Sequence, residues 1–277
     1  MKSIDKYIKE KFSLLDVFEQ NDFIIEGINI NDKSKTVSLT DKHSSGVDFN
    51  LVNSPIYYNV DGIDVISIFK RTKLNVNNVE RDGNPFIYAL KEKYGWTFDI
   101  SSKEIIKYIR RFLSVCNKIK SHYDVVIAVP SKSIINEKFL NVIYNKVDAE
   151  LKIKDYFAKL TKEEIIDQDY INIEKIKQDY KDKYSDVIDD ILTSFKKMKT
   201  EYFEAKYINK NYLKYIKYIG NSDTESYFDK FNNKDILILD DILSSGETIS
   251  QCVKNIKETF SPKSITVITL LSKVLNF

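Results

Sequence analysis

The chain has 277 residues, a formal net charge of +2 and 30% charged residues. That length can bury a substantial core, as one large domain or a core with an accessory region, and the near-neutral balance gives no global electrostatic case for nucleic acid. Two isolated cysteines, Cys116 and Cys252, fit neither a disulfide framework nor a metal site, and two histidines argue against a zinc or triad enzyme; a reducing cytoplasm is the expected location.

The segment Met1 to Lys11 is charged and amphipathic and does not read as a signal peptide. No apolar run is long enough to span a bilayer. Over the first hundred residues, Phe23–Ile30, Thr36–Thr40, Ile56–Val60 and Ile63–Phe69 read as short strands with turn residues between them. Arg81 to Leu90 reads as a turn feeding a short helix, and Tyr94-Gly95-Trp96 follows. Residues 1–100 are expected to form an accessory region, and residues 101–277 a core. Asp82, Asn84, Tyr88 and Trp96 either contact a ligand or pack that region onto the core.

Within the core, Ser102–Ile119 has helical spacing, with Ile105, Ile106, Ile109, Phe112, Leu113 and Cys116 on one face. Tyr123–Val129 reads as a buried strand that runs into Pro130-Ser131-Lys132-Ser133 and then a helix through Asn136 to Val147. From Glu150 to Tyr218 the chain contains no Gly or Pro and reads as helices, roughly Lys162–Tyr180 and Tyr184–Tyr218. This helical insertion, at about 150–220, is expected to cover a site or to form an interface with a second copy or a partner protein. Near its end Lys196, Lys197, Lys199, Lys206, Lys210, Lys214 and Lys217 alternate with Tyr202, Phe203, Tyr207, Tyr212 and Tyr215. Basic residues among aromatics suit a nucleic-acid partner; a solvated lysine face over a packed aromatic face gives the same pattern. Asn221–Asn233 reads as a polar loop, the candidate for closing over a bound ligand.

Ile236–Leu239 has the length and branching of a buried parallel strand. It leads into two adjacent acids, Asp240 and Asp241, and then Ser244-Ser245-Gly246-Glu247-Thr248. A helix from Thr248 to Phe260, a Ser261-Pro262 break and a strand from Ser264 to Leu271 complete a regular α/β unit. In an open α/β sheet the strand-to-helix turn is where ligands sit. Small and hydroxylated residues before a helix leave backbone N–H groups free for a phosphate. The acids repel phosphate and suit ribose hydroxyls or a phosphate-bound Mg²⁺.

Four apolar residues, two acids, two apolar residues and Ser-Ser-Gly-x-Thr resemble the diphosphate-sugar motif of type I phosphoribosyltransferases, with Asp240, Asp241, Ser245, Gly246 and Thr248 on its defining positions. An acid pair after a strand also occurs in receiver domains and other doubly wound folds, which lack this loop at this distance. The resemblance implies an α/β fold with a doubly wound parallel sheet, an N-terminal β-containing accessory region acting as a hood, and the helical insertion. It implies 5-phosphoribosyl 1-diphosphate as ligand, with Mg²⁺ as cofactor held at Asp240 and Asp241 directly or through ribose or water. Ser244, Ser245, Gly246, Glu247 and Thr248 would hold the 5-phosphate. Ser131, Lys132 and Ser133 would hold the pyrophosphate, and Asp240 and Asp241 would act in catalysis by gripping the ribose.

The acceptor implied is a nitrogenous base or nucleotide-related group, outside the membrane. Ser244 replaces the aspartate of enzymes that salvage 6-oxopurines, which counts against hypoxanthine or guanine. Glu247 is an unusual charge for such a loop. The layout is similar to that of competence-associated phosphoribosyltransferase-like proteins. Two other functions share the pattern: a non-catalytic sensor of the same ligand, and a phage-defence or mobile-element effector acting on nucleotides or nucleic acid. All of them require the two acids to face a cavity rather than to lie inward in salt bridges.

Overall fold

A computed structural model describes residues 25–44, 46–60, 62–72, 84–99, 108, 111–130, 141–221, 225–243 and 246–273. Its strands, in chain order, are β1 (Gly27–Asn31), β2 (Thr36–Thr40), β3 (Val47–Asp48), β4 (Ile56–Val60), β5 (Ile63–Arg71), β6 (Thr97–Phe98), β7 (His122–Ala128), β8 (Asp148–Ile153), β9 (Phe157–Lys159), β10 (Ile219–Asn221), β11 (Asp235–Leu243) and β12 (Ser264–Lys273). Seven of them form one sheet in the order β3-β5-β12-β11-β7-β8, with β4 also paired to β5. The five strands from β5 across to β8 run parallel, and β3 and β4 run antiparallel along the outer side of β5.

Apolar side chains alternate across this sheet and bury both faces, which is why its central strands read as unbroken apolar runs. In β11, Leu237 and Leu239 join one core, while Ile236 and Ile238 join the other. The first core carries the N-terminal region together with Phe112, Val115, Ile143 and Val147. The second carries the Glu247–Thr259 helix and the 150–231 segment. The result is a three-layer α/β arrangement with helices on both sides of a mostly parallel sheet.

The first hundred residues serve two layers. β3, β4 and β5 extend the main sheet, with β5 in register with β12 from Asp64–Thr266 to Arg71–Lys273. β1, β2 and β6 form a separate three-stranded sheet, so the change of texture near residue 100 does not divide the main sheet. Phe49 meets Phe69, Phe86 and Tyr108 edge-on at 4.8, 5.6 and 5.8 Å between centroids. The guanidinium of Arg111 donates from Nε to the Phe49 carbonyl at 2.7 Å, and Lys118 Nζ donates to the Leu51 carbonyl at 2.6 Å. Trp96 is buried in this core and so packs the region rather than facing a ligand. Asn84 accepts from the buried Arg71 at 2.7 Å, and Tyr88 lies edge-on to Tyr94.

The 150–220 insertion departs from the expected pair of long helices. Residues 148–153 form β8, an edge strand whose Ala149, Leu151 and Ile153 alternate with charged residues. The first helix is split into Lys162–Asp167 and Ile173–Tyr180, separated by Asp169 at φ 53° and a bridge between Ile171 and Ile216. The second ends at Lys197, where Met198 turns extended. Beyond it the buried residues Phe203, Ile208, Leu213, Tyr215, Tyr218 and Ile219 are spaced irregularly, and short 3₁₀ turns lead into β10. Phe203, Tyr215 and Tyr218 are buried, and Lys206 and Lys214 lie over the Tyr207 and Tyr215 rings. Of the other rings in this alternation, Tyr207 and Tyr212 are half-buried and Tyr202 is exposed.

The expected polar loop at 221–233 is also partly structured. Phe228–Phe231 is a short helix, and the fully buried Phe231 meets Tyr156 and Phe260 edge-on at 4.9 Å each. Within this stretch Phe231 is the buried anchor, Phe228 is exposed, and 222–224 lie outside the described residues.

Two buried polar side chains fasten the insertion to the Glu247–Thr259 helix. Gln251 Oε1 accepts from the backbone of Tyr218 and Ile219 at 2.9 and 3.2 Å, and its Nε2 donates to the Ile216 carbonyl at 2.7 Å. Asn255 Nδ2 donates to the Ile219 carbonyl at 2.8 Å. Gln251→Ala leaves buried backbone groups without partners, so a loss of about 1–3 kcal/mol in unfolding free energy is expected. Denaturant unfolding checks it; an unchanged midpoint would show that this contact does not secure the insertion.

Candidate functional site

The chain order around β7 and β11 sets the position of the site. From β7 the chain moves outward to β8, then returns past β7 to β11 and continues the other way to β12. The junction between β7 and β11 is therefore a topological switch point, the place where open α/β sheets form a crevice at their carboxyl edge. Pairing of β7 with β11 ends at Ala128 and Leu239, closed by a bond from Val129 N–H to the Leu239 carbonyl at 2.9 Å. β11 continues through Leu243, where the described ladder partners belong to β12 alone. Asp240 and Asp241 occupy this one-sided stretch. They lie within the strand rather than after it, as the sequence reading had placed them.

Both acids are 8% exposed. Asp241 N–H donates to Asp240 Oδ1 at 2.8 Å. Lys91 Nζ lies 2.6 Å from Asp241 Oδ2, so the N-terminal region supplies the counterion to the second acid. Burial, reinforced by the adjacent Asp241 charge, pushes the Asp240 carboxyl well above the usual carboxylate range. Across the ladder, Asp240 faces Thr269, which is fully buried and whose hydroxyl has no hydrogen-bond partner among the described residues. Against the requirement that the acids face open space, both lie largely inward and Asp241 is salt-bridged.

Gly246 precedes the Glu247–Thr259 helix with φ +78°, a left-handed conformation that glycine adopts without strain. Its carbonyl accepts from Ser250 N–H at 2.8 Å and closes the first helical turn. Glu247 and Thr248 follow in that turn and are half-buried. Thr248 Oγ1 lies 3.2 Å from the Tyr218 hydroxyl, whose ring stacks on Phe203 at 4.7 Å. Burial raises the Tyr218 hydroxyl above its ordinary pKa, with the Glu247 and Asp240 charges adding to the shift. The acids, the helix start and the end of the insertion thus share one small volume.

Of the predicted residues, Asp240, Asp241, Gly246, Glu247 and Thr248 are gathered at the carboxyl edge of β11. Ser244 and Ser245 lie outside the described residues, as do Ser131, Lys132, Ser133 and Asp82. β7 ends at Ala128, and Pro130 is the last described residue on that side of the switch point. Two contributors were missed by reading the sequence. Lys91 carries no motif and sits in a region read as a separate hood. Tyr218 stood in a stretch read as helix, although a lone tyrosine just ahead of Ile219-Gly220 fits a chain turning back into a strand.

Among the described residues no group of three or more His, Cys, Asp or Glu could hold a metal ion. Two adjacent carboxylates fit a Mg²⁺ that arrives on ligand phosphates, since that ion commonly uses one or two carboxylates and keeps the rest of its shell as water and phosphate. They do not make a resident metal cage. No helix among the described residues is long and apolar enough to cross a membrane. In comparison with known proteins, no family model matches the chain, and no curated protein matches its sequence.

The raised Asp240 pKa has a definite sign. The folded protein holds this proton more tightly than the unfolded chain, so stability is lost as pH rises from about 4, the ordinary aspartate value, toward the elevated one. Asp240→Asn keeps the acceptor for Asp241 N–H and removes the charge. Its melting temperature is expected to exceed that of the unmodified protein at neutral pH, by a margin that shrinks toward pH about 4. Melts across that range check it; a lower melting temperature at neutral pH would show that the Asp240 charge stabilises the fold.

Proposed function

We propose that this protein binds 5-phosphoribosyl 1-diphosphate with Mg²⁺ and acts as a phosphoribosyltransferase on a nitrogenous base or nucleotide-related acceptor. The observation that carries this reading is the meeting of the acid pair with the Gly246 helix start at the switch-point edge of β11. A pentose phosphate presents the opposite chemistry at its two ends. Its hydroxyls donate to carboxylates, and its phosphate accepts from helix-terminal N–H groups.

In this reading Asp240 and Asp241 grip the ribose 2- and 3-hydroxyls and favour positive charge developing at C1 as the diphosphate leaves. The amides following Gly246, with Thr248 and the loop serines Ser244 and Ser245, anchor the 5-phosphate. Tyr218 holds the Thr248 side chain in place. The Ser131-Lys132-Ser133 stretch is the proposed seat of the leaving diphosphate. Bound on the ligand's phosphates, Mg²⁺ would supply charge neutralisation there, with Asp240 and Asp241 as its protein ligands.

A second reading, binding of the same sugar without transfer, is favoured by the Lys91–Asp241 pair, which couples an acid of the site to the N-terminal region. Pyrophosphate release measured over a panel of bases separates transfer from sensing.

Binding itself is tested by thermal shift. A ligand at about 100 times its Kd stabilises the fold by about 2.7 kcal/mol, so the diphosphate sugar with Mg²⁺ is expected to raise the melting temperature. Asp241→Asn is expected to weaken binding by about 1.5–3 kcal/mol, the cost of a charge-assisted hydrogen bond, with the fold retained. Absence of a shift in the unmodified protein, or unchanged calorimetric affinity in Asp241→Asn, would overturn the assignment.

A further inference from the structure

We propose that Lys91 is a diphosphate-binding residue, parked on Asp241 until ligand arrives and then shared between that acid and the ligand. This rests on the reading given above and adds to it a cation from the N-terminal region.

The backbone around Lys91 is hydrogen-bonded on both sides. Its N–H donates to the Ile87 carbonyl at 2.9 Å, extending the Asn84–Leu90 helix by one bond, and Lys93 N–H returns to the Tyr88 carbonyl at 2.8 Å. Glu92, Tyr94 and Gly95 then adopt left-handed backbone, and Lys35 Nζ holds the Tyr94 carbonyl at 2.9 Å. Motion at this point belongs to the lysine side chain, a compact charge on a flexible four-carbon stem.

Charge supplies the second step. Without a counterion, the Asp241 carboxylate would repel an approaching diphosphate; Lys91 offsets that charge. Lys91 is already 2.6 Å from the second acid and keeps 22% of its side chain exposed, so part of it borders solvent. An ammonium carries three donors and can satisfy a carboxylate and a phosphate oxygen together. The third step concerns the pair itself. A largely buried ion pair contributes little net stability compared with apolar packing, so fold stability alone is a weak reason for it to be there.

Calorimetry with three probes, each with Mg²⁺, tests the proposal: 5-phosphoribosyl 1-diphosphate, inorganic pyrophosphate and ribose 5-phosphate. In Lys91→Met, affinity for the two diphosphate probes is expected to fall about 10- to 100-fold, the range of a lost charge-assisted bond. Ribose 5-phosphate affinity should fall far less or rise, because Asp241 is released. An equal loss, an equal gain or no change across all three probes would overturn the proposal and leave Lys91 as a counterion only. If Lys91→Met does not fold, Lys91→Met combined with Asp241→Asn removes the stranded charge. Compared with Asp241→Asn alone, that double variant must show the same selective loss of the diphosphate probes. Failure of the unmodified protein to bind any probe would instead overturn the parent reading, and this proposal with it.

Discussion

Two carboxylates on consecutive residues of a central, buried strand are the constraint to which the rest of the structure answers. Burial and the adjacent Asp241 charge both disfavour the charged form of Asp240. Apolar residues at 240 and 241 would continue the Ile236–Leu239 run and suit the sheet better. Groups that oppose the fold in this way concentrate where binding or chemistry needs them. The acids stand where β7 has left the ladder and β11 is supported by β12, at the switch point of the sheet.

Segments distant in sequence converge on this place. The N-terminal region reaches it through Lys91, from a turn braced by Lys35. The insertion reaches it through Tyr218, which touches Thr248, while Gln251 and Asn255 fasten the adjoining backbone to the same helix. Neither layer is an appendage. β5 lies in full register with β12, and insertion residues such as Ile165, Ile176 and Ile191 share one core with Val125, Ile238 and Val267 of the sheet. Both layers reach the site through contacts of a few ångströms.

How legible this was depended on whether the signal was local. The apolar strands Tyr123–Val129, Ile236–Leu239 and Ser264–Leu271 could be read because burial on both faces gives unbroken runs, and the loop around Gly246 because its small and hydroxylated residues are consecutive in the chain. β8 was missed although Ala149, Leu151 and Ile153 keep a period of two, since Glu150 and Lys152 mark a charged edge strand and gave the stretch a helical look. The overlong Tyr184–Tyr218 helix arose from the lack of Gly and Pro. The chain leaves the helix at Met198 because its later apolar residues pack the insertion at irregular spacing, which composition does not record. Lys91 was invisible for a different reason: its role depends on a tertiary contact between segments far apart in the chain.

A doubly wound sheet is shared by proteins of unrelated chemistry, so the architecture narrows where a ligand sits without naming it. What narrows the ligand is the pairing of opposite demands across a few residues: an acid pair that accepts hydroxyl donors or a cation, beside helix amides that donate to an anion. Under the proposed function, a pentose phosphate serves both, since it carries hydroxyls and a phosphate at a short separation. The Lys91–Asp241 pair sharpens the demand further. It partly neutralises the acids in the free protein, and under the proposed function a diphosphate sugar bearing a divalent cation would return positive charge to Asp241 and give Lys91 a second anion to hold.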